Sequence, residues 1–352
     1  MVFSNILRSK ILRRILLAVM VAAAIALSPV LSTYAQSAIS LNGAGATFPA
    51  PLYERYFSEF TRANPNIRVN YQAIGSGGGI RQTIAETVDF GGSDAAMTDA
   101  QIAQVDRGII LVPTAGGAVS ITYNLPGIDN LRLSRSVYPD IFSGRITRWN
   151  DPRIVADNPG VNLPDLPIRT AVRADGSGTT FIFTNNLSAV SPYFRGRIGV
   201  GTAPRWTTNP ITGRGNPGVA AQVARTRGAI GYVEYAYAKQ NNLQVASLEN
   251  KAGQFVAPSL QATEEALSAV EFPDNFRVFV GDPDRGYPIS GLTWLMVYRQ
   301  YEQAGKAAAI KRMVEWILTD GQEINNTLDY LRIPEAVARR AIETVNREVT
   351  GP

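Results

Sequence analysis

The sequence predicts an α/β chain folded as about two globular domains, and three observations predict it. Apolar, β-branched runs twice lead through a glycine-rich turn into a segment with helical apolar spacing, at residues 67–88 and 167–187. The chain has 352 residues, 45% of them hydrophobic, with no internal repeat, a length that suits about two cores. Two more β-branched stretches, 108–124 and 287–297, stand where the chain would cross between domains and return.

Composition narrows the chemistry. The chain has no cysteine and no histidine, which excludes disulfides, thiolate or imidazole metal sites and Ser-His-Asp catalysis. No cofactor and no metal are expected. Residues 1–37 read as a signal peptide. Arg8, Lys10, Arg13 and Arg14 precede an apolar run over 15–27, with small residues after it that suit cleavage between Ala35 and Ala38. Arg13-Arg14 hints at the twin-arginine route, but the ordinary export route is favoured, and the expected compartment is the periplasm. Removing this segment takes four of the 34 basic side chains and none of the 29 acidic ones, leaving 30 against 29. The formal charge falls from +5 to about +1. The case for nucleic-acid binding goes with it.

Taken in order, Ile39-Ser40-Leu41-Asn42 reads as a short strand entering a Gly/Ala turn. Pro49 and Pro51 suit a helix start, and Leu52, Tyr53, Tyr56, Phe57 and Phe60 predict an amphipathic helix over about 51–63. Thr47 and Phe48 before it read either as a cap or as a hydroxyl and N–H groups offered to an anion. Residues 67–74 alternate as a strand that runs into Gly75-Ser76-Gly77-Gly78-Gly79, then a helix through Ile80, Thr83, Ile84 and Val88. Ser76 is the candidate ligand hydroxyl there, with a flexible turn as the alternative. The next strand ends at Ser93-Asp94. Asp94 reads first as the cap of a helix starting at Thr98. Its second reading is a carboxylate that accepts a hydrogen bond from a protonated oxyanion, which phosphate offers near neutral pH and sulfate does not.

Residues 108–124 read as two strands, interrupted at Pro113 and Gly116-Gly117, with the first interdomain crossing between them. A helical stretch and turn follow over 131–149, then a loop over 151–165. Residues 191–218 read as a polar surface segment, 221–227 as helix, and 228–235 as a turn and buried strand. The segment 241–270 shows no usable period. Strands are expected at 276–280 and 287–297, and helices at about 302–320 and 334–348.

The stretch that organises the rest is Val172-Arg173-Ala174-Asp175-Gly176-Ser177-Gly178-Thr179-Thr180. A strand, a Gly/Ser/Thr turn and a helix start present free N–H groups and the positive end of the helix dipole. Ser177 and Thr179 add hydroxyls, and Arg173 adds a planar fork that fits two oxygens of a tetrahedral oxyanion. Asp175 reads either as the orienter of that guanidinium or as the helix cap. The segment is not a Walker A loop, because Thr179 stands where the Lys should be.

Five segments together carry a resemblance. They are 43–51 (Gly-Ala-Gly-Ala-Thr-Phe-Pro-Ala-Pro), 74–79, 88–94, 173–179, and 228–243 (Gly-Ala-Ile-Gly-Tyr-Val-Glu-Tyr-Ala-Tyr-Ala-Lys-Gln-Asn-Asn-Leu). In this order they resemble the periplasmic phosphate-binding protein of the phosphate ABC transporter, over essentially the whole chain after the signal segment. The departures are Gly77, where many relatives have Ser, and 191–218, which does not align closely. The resemblance implies a two-lobed periplasmic binding protein fold (type II-like), each lobe a mixed β-sheet flanked by helices and joined by hinge strands. Lobe 1 would comprise 38–118 and 285–352, and lobe 2 residues 119–284. It implies a phosphate site made of Thr47, the Phe48 backbone, Ser76 and Asp94 from one lobe. Arg173, Ser177, the Gly178 backbone and Thr179 would come from the other, with Asp94 accepting the phosphate proton and Asp175 pairing with Arg173. It also implies a monomeric carrier, without catalysis, that serves an inner-membrane phosphate permease. Two alternatives stand beside it: a binder of another oxyanion, and a secreted phosphatase using Ser or Thr without a histidine base. An adhesive role for the same scaffold is a third.

Overall fold

The computed structural model describes residues 38–352; the expected signal peptide lies outside the described residues. The strands are β1 (Ile39–Gly45), β2 (Ile67–Ala73), β3 (Phe90–Ser93), β4 (Ile109–Tyr123), β5 (Arg132–Leu133), β6 (Arg169–Arg173), β7 (Ile211–Gly213), β8 (Ala229–Glu234), β9 (Gln244–Val245), β10 (Ser247–Glu249), β11 (Phe255–Val256) and β12 (Ser290–Tyr298). Their main hydrogen-bonded order is β2-β1-β3-β12-β4-β8-β6-β7, with β9 alongside β4; a separate small sheet runs β11-β10-β5. Pairing is parallel in β2-β1-β3 and in β8-β6-β7, and antiparallel where β4 and β12 join the two groups.

β4 decides the architecture and corrects the expectation of two strands. It is one strand of 15 residues, buried throughout. Ile109–Ala118 pairs with β12, and Val119–Tyr123 pairs with β8, so the chain passes from one half to the other without leaving the ladder. Pro113 is tolerated because the register against β12 shifts between Thr293 and Trp294, where a bulge relieves the missing N–H. Gly116 and Gly117 are not turn residues. A Cβ on them would come within 2.7 Å of Leu267 Cδ1 and of the Phe48 ring, respectively.

Helices cover these sheets. Helix Ala50–Ala63 buries Leu52, Tyr53, Tyr56, Phe57 and Phe60, the stripe that predicted it, each worth about 1.5–3 kcal/mol of apolar burial. Helix Ser76–Ile84 is shorter than expected, leaving Val88 outside it. Lys306–Leu318 and Glu335–Glu348 lie close to their expected spans.

Other expectations fail for local reasons. Residues 151–165 are not all loop: Pro152–Asp157 is a helix capped by Asp151, which accepts from Arg153 N–H. Over 131–149 the structure has β5 and a short helix, Val137–Phe142. Residues 276–280 form no strand. Phe276 adopts φ 56°, outside the extended region, with its carbonyl held by the Trp294 indole N–H at 2.9 Å. The segment 191–218 contains helix Pro192–Arg197 and β7, and helix Gly215–Arg225 starts well before the expected residue 221. Residues 241–270 resolve into β9, β10, β11 and helix Leu260–Leu267.

Candidate functional site

The anion-type turns converge at the ends of β1, β3 and β6. On one side, β1 leads to Thr47 and Phe48 ahead of helix Ala50–Ala63, Ser76 opens its helix after Gly75 (φ 89°), and Asp94 directly follows β3. On the other side, Arg173 ends β6, and Ser177 caps helix Gly178–Val190 by accepting from Thr180 N–H at 3.0 Å. The two sides touch: Gly77 N–H donates to the Gly176 carbonyl at 2.9 Å. All eight predicted residues are brought together here, and the polar side chains among them are 7% exposed or less.

Three open readings close. Asp94 does not cap the helix at Asp99–Ile102, because Thr98 does so in a capping box with Gln101. Asp175 does not cap helix Gly178–Val190. Its carboxylate takes a two-point grip on Arg173, from Nε at 2.9 Å and Nη2 at 2.5 Å, and also accepts from Gly215 N–H at 2.9 Å. Thr47 does not cap helix Ala50–Ala63 through its hydroxyl. Thr47 Oγ1 instead accepts from the Asn216 backbone N–H at 3.1 Å and from Asn216 Nδ2 at 2.9 Å.

Around Asp94 the geometry is specific. Thr293 Oγ1, on β12 beside the register shift against β4, donates to Asp94 Oδ1 at 2.8 Å. Ser76 Oγ accepts from Asp94 N–H at 3.2 Å and donates to Asp94 Oδ2 at 3.4 Å. Gly178 packs directly over Ser76 and Asp94, where a Cβ would lie 2.5 Å from Ser76 Oγ and 2.6 Å from Asp94 Cβ. Burial pushes the Asp94 carboxyl up to about 7, against the lowering effects of Thr293, the Arg173 charge and Ser76. For Asp175 burial also pushes upward, but the Arg173 hydrogen bonds and charge outweigh it and hold the carboxyl below its usual value.

Several residues here were missed from the sequence. Besides Asn216 and Thr293 they are Tyr237, Tyr330 and Glu234. Tyr237 Oη donates to the Thr47 carbonyl at 2.6 Å. Tyr330 Oη lies 2.7 Å from the Phe48 carbonyl and 2.9 Å from Glu234 Oε2. A phenol has one hydrogen; with the carbonyl taking it, the second bond calls for a proton on Glu234. Burial pushes Glu234 up to about 8, in agreement with that count.

These two raised acids carry a pH prediction. Above about pH 4 the folded chain holds two protons that the unfolded chain has released. Stability therefore falls as pH rises from there until Asp94 and Glu234 ionise at about 7 and about 8. The fall is about 1.4 kcal/mol per pH unit for each proton held. In this closed arrangement the chain is expected to melt several degrees lower at about pH 8.5 than at about pH 5.5. Asp94→Asn should flatten part of that slope in thermal melts. A parent chain with equal melting temperatures at both pH values would refute it.

Residues 32–320 match the family model of the PBP superfamily domain. The phosphate-binding protein PstS of Pasteurella multocida is 40% identical over 316 residues, covering 88% of this chain and 90% of that protein. The chain belongs to the PstS phosphate-binding protein family. The PstS of Haemophilus influenzae is 39% identical over 304 residues, covering 85% and 90% of the two chains. Among solved structures, a high-affinity periplasmic phosphate-binding protein bound with phosphate superposes with a TM-score of 0.73 at 22% identity, covering 87% and 94%. The phosphate-binding protein from Stenotrophomonas maltophilia gives 0.71 at 20%, covering 86% and 93%. At such identities the likeness speaks to the fold, which is the two-domain periplasmic binding fold. The PstS family is one of binding proteins, not of enzymes.

Proposed function

We propose that this protein binds inorganic phosphate between its two lobes in the periplasm and delivers it, as a monomer, to an ABC-type permease of the inner membrane. Lobe 1 is 38–118 with 285–352 and lobe 2 is 119–284; the switch of β4 from β12 to β8 after Ala118 supports that division. The ligand shell is Thr47, Phe48 N–H, Ser76 and Asp94 with Arg173, Ser177, Gly178 N–H and Thr179. The observation that carries the reading is the pairing of opposites in one buried cleft. Arg173 and the start of helix Gly178–Val190 supply charge and N–H donors, and Asp94, an acid pushed up to about 7, faces them. A carboxylate beside an anion repels it unless a proton lies between them. Phosphate carries that proton near neutral pH and sulfate does not, so Asp94 selects phosphate.

Half the ligand residues sit on each lobe, so closure satisfies the ligand and the ligand favours closure. The closed surface is then what a permease recognises. The names of the relatives support phosphate as ligand and binding rather than catalysis as the activity.

The test is calorimetric titration of the ligand-stripped chain from residue 38 onward. Tight one-to-one phosphate binding with no sulfate response is expected. Equal response to both anions would overturn phosphate selectivity, and no response to either would overturn the reading. Asp94→Asn replaces the acceptor with an amide that donates, and is expected to raise sulfate affinity at least ~10-fold. Unchanged sulfate rejection would remove Asp94 from that role.

A further inference from the structure

Asn216 lies outside the predicted ligand shell, yet it is fully buried and touches that shell from both sides. Its Oδ1 accepts from Glu234 N–H at 2.9 Å. That bond fixes which way the amide points, so both Nδ2 hydrogens face the cleft. One goes to Thr47 Oγ1 at 2.9 Å and the other to Thr179 Oγ1 at 3.1 Å. The backbone N–H of Asn216, in the first turn of helix Gly215–Arg225, also donates to Thr47 Oγ1 at 3.1 Å. Arg173 Nη1 also donates to Thr179 Oγ1, at 3.4 Å.

A hydroxyl has two lone pairs and one hydrogen. Thr47 Oγ1 receives two N–H groups, and so does Thr179 Oγ1. Both acceptor sites of each oxygen are therefore engaged by groups that can only donate, and each threonine is left with its proton alone. We infer that Asn216 is a positioning residue that makes Thr47 and Thr179 obligate donors and thereby sets the orientation of the bound anion. Both hydroxyls demand an unprotonated oxygen. The proton of a monoprotonated or diprotonated phosphate is thus turned away from them and toward Asp94 Oδ2, the carboxylate oxygen that does not take the Thr293 bond and whose other contact is a long one from Ser76 Oγ, at 3.4 Å. Selectivity then has two parts, an acceptor at Asp94 and an enforced donor face opposite it. The same amide joins Thr47 of lobe 1 to Thr179 of lobe 2, so the donor face is complete only when the lobes are closed.

This inference rests on the phosphate-binding reading, and the test separates the two. Phosphate titrations are run on the parent chain, Asn216→Asp and Asn216→Ala at about pH 8 and about pH 5.5, each variant compared with the parent at the same pH. In N216D the ionised carboxylate accepts from both threonines, turns their protons away and adds a negative charge. Its affinity at about pH 8 is expected to fall at least ~100-fold. On protonation the carboxyl regains one donor, and roughly tenfold of that loss should return at about pH 5.5. N216A should lose about 10-fold with no such recovery. A parent that fails to bind phosphate overturns the functional reading itself. A parent that binds, with N216D equal to it at about pH 8 or equally impaired at both values, overturns the role given to Asn216. If N216D does not fold, a double-mutant cycle between N216A and Thr179→Val decides. Non-additive losses support action through Thr179, and additive losses overturn it.

Discussion

Arg173→Met is expected to remove phosphate binding, lowering affinity by on the order of 10³-fold or more in calorimetric titration. The physical reason is double. The guanidinium is the cationic donor of the cleft, with a side chain 2% exposed, so its charge is little screened by water. Its loss also leaves the Asp175 carboxylate buried with Gly215 N–H but without its cation, and breaking a buried pair costs about 3–5 kcal/mol. Arg173→Lys separates these contributions. It keeps the charge but cannot keep the two-point grip on Asp175 and the reach to Thr179 at once. An intermediate loss is expected for it. Phosphate affinity within about threefold of the parent in Arg173→Met would place the ligand elsewhere in the molecule.

Gly178→Ala is expected to act in a different way, by blocking closure. A methyl group at Gly178 meets Ser76 Oγ and Asp94 Cβ across the cleft at 2.5 and 2.6 Å, well inside contact distance. Asp94 cannot withdraw, because Thr293 holds its carboxylate and Ser76 holds its N–H. Overpacking of this kind costs about 1–3 kcal/mol, so affinity should fall about 10- to 100-fold. Alanine suits the first position of a helix, and the clash exists only when the lobes are together. The ligand-free variant should therefore melt within about 2 °C of the parent while binding phosphate weakly. Small-angle scattering should show it remaining extended at phosphate concentrations that compact the parent. Parent-like affinity would mean that the lobes close without this contact.

Arg173, Asp175, Ser177, Gly178 and Thr179 were legible because they sit in one short stretch whose chemistry is local: a strand end, a turn, a helix start. Ser76 and Thr47 were legible in the same manner. What was not legible is whatever depends on residues far apart. Asn216 stands between Gly215 and Pro217, which reads as turn chemistry, and its meeting with Thr47 spans 169 positions. Thr293 reads as an ordinary strand residue. Only the pairing of β12 with β3, which Asp94 follows, places it beside Asp94, 199 positions away. The β4 error has the same root: proline and glycine are local breakers, and the partner strand that accommodates them cannot be seen from 109–123 alone.

By itself, then, the sequence determined the α/β class, the succession of strand–turn–helix units, the chemical types at the anion turns and, through five matched segments, the family. Periodicity, turn residues and side-chain chemistry act over a few neighbouring positions, so they survive in one dimension. The tertiary structure alone decided that one continuous strand joins the halves, that Asp94 is an acid pushed up to about 7 rather than a helix cap, and that Thr47 and Thr179 each keep only a proton to offer. Desolvation and the filling of lone pairs depend on which distant groups the fold brings within hydrogen-bonding distance.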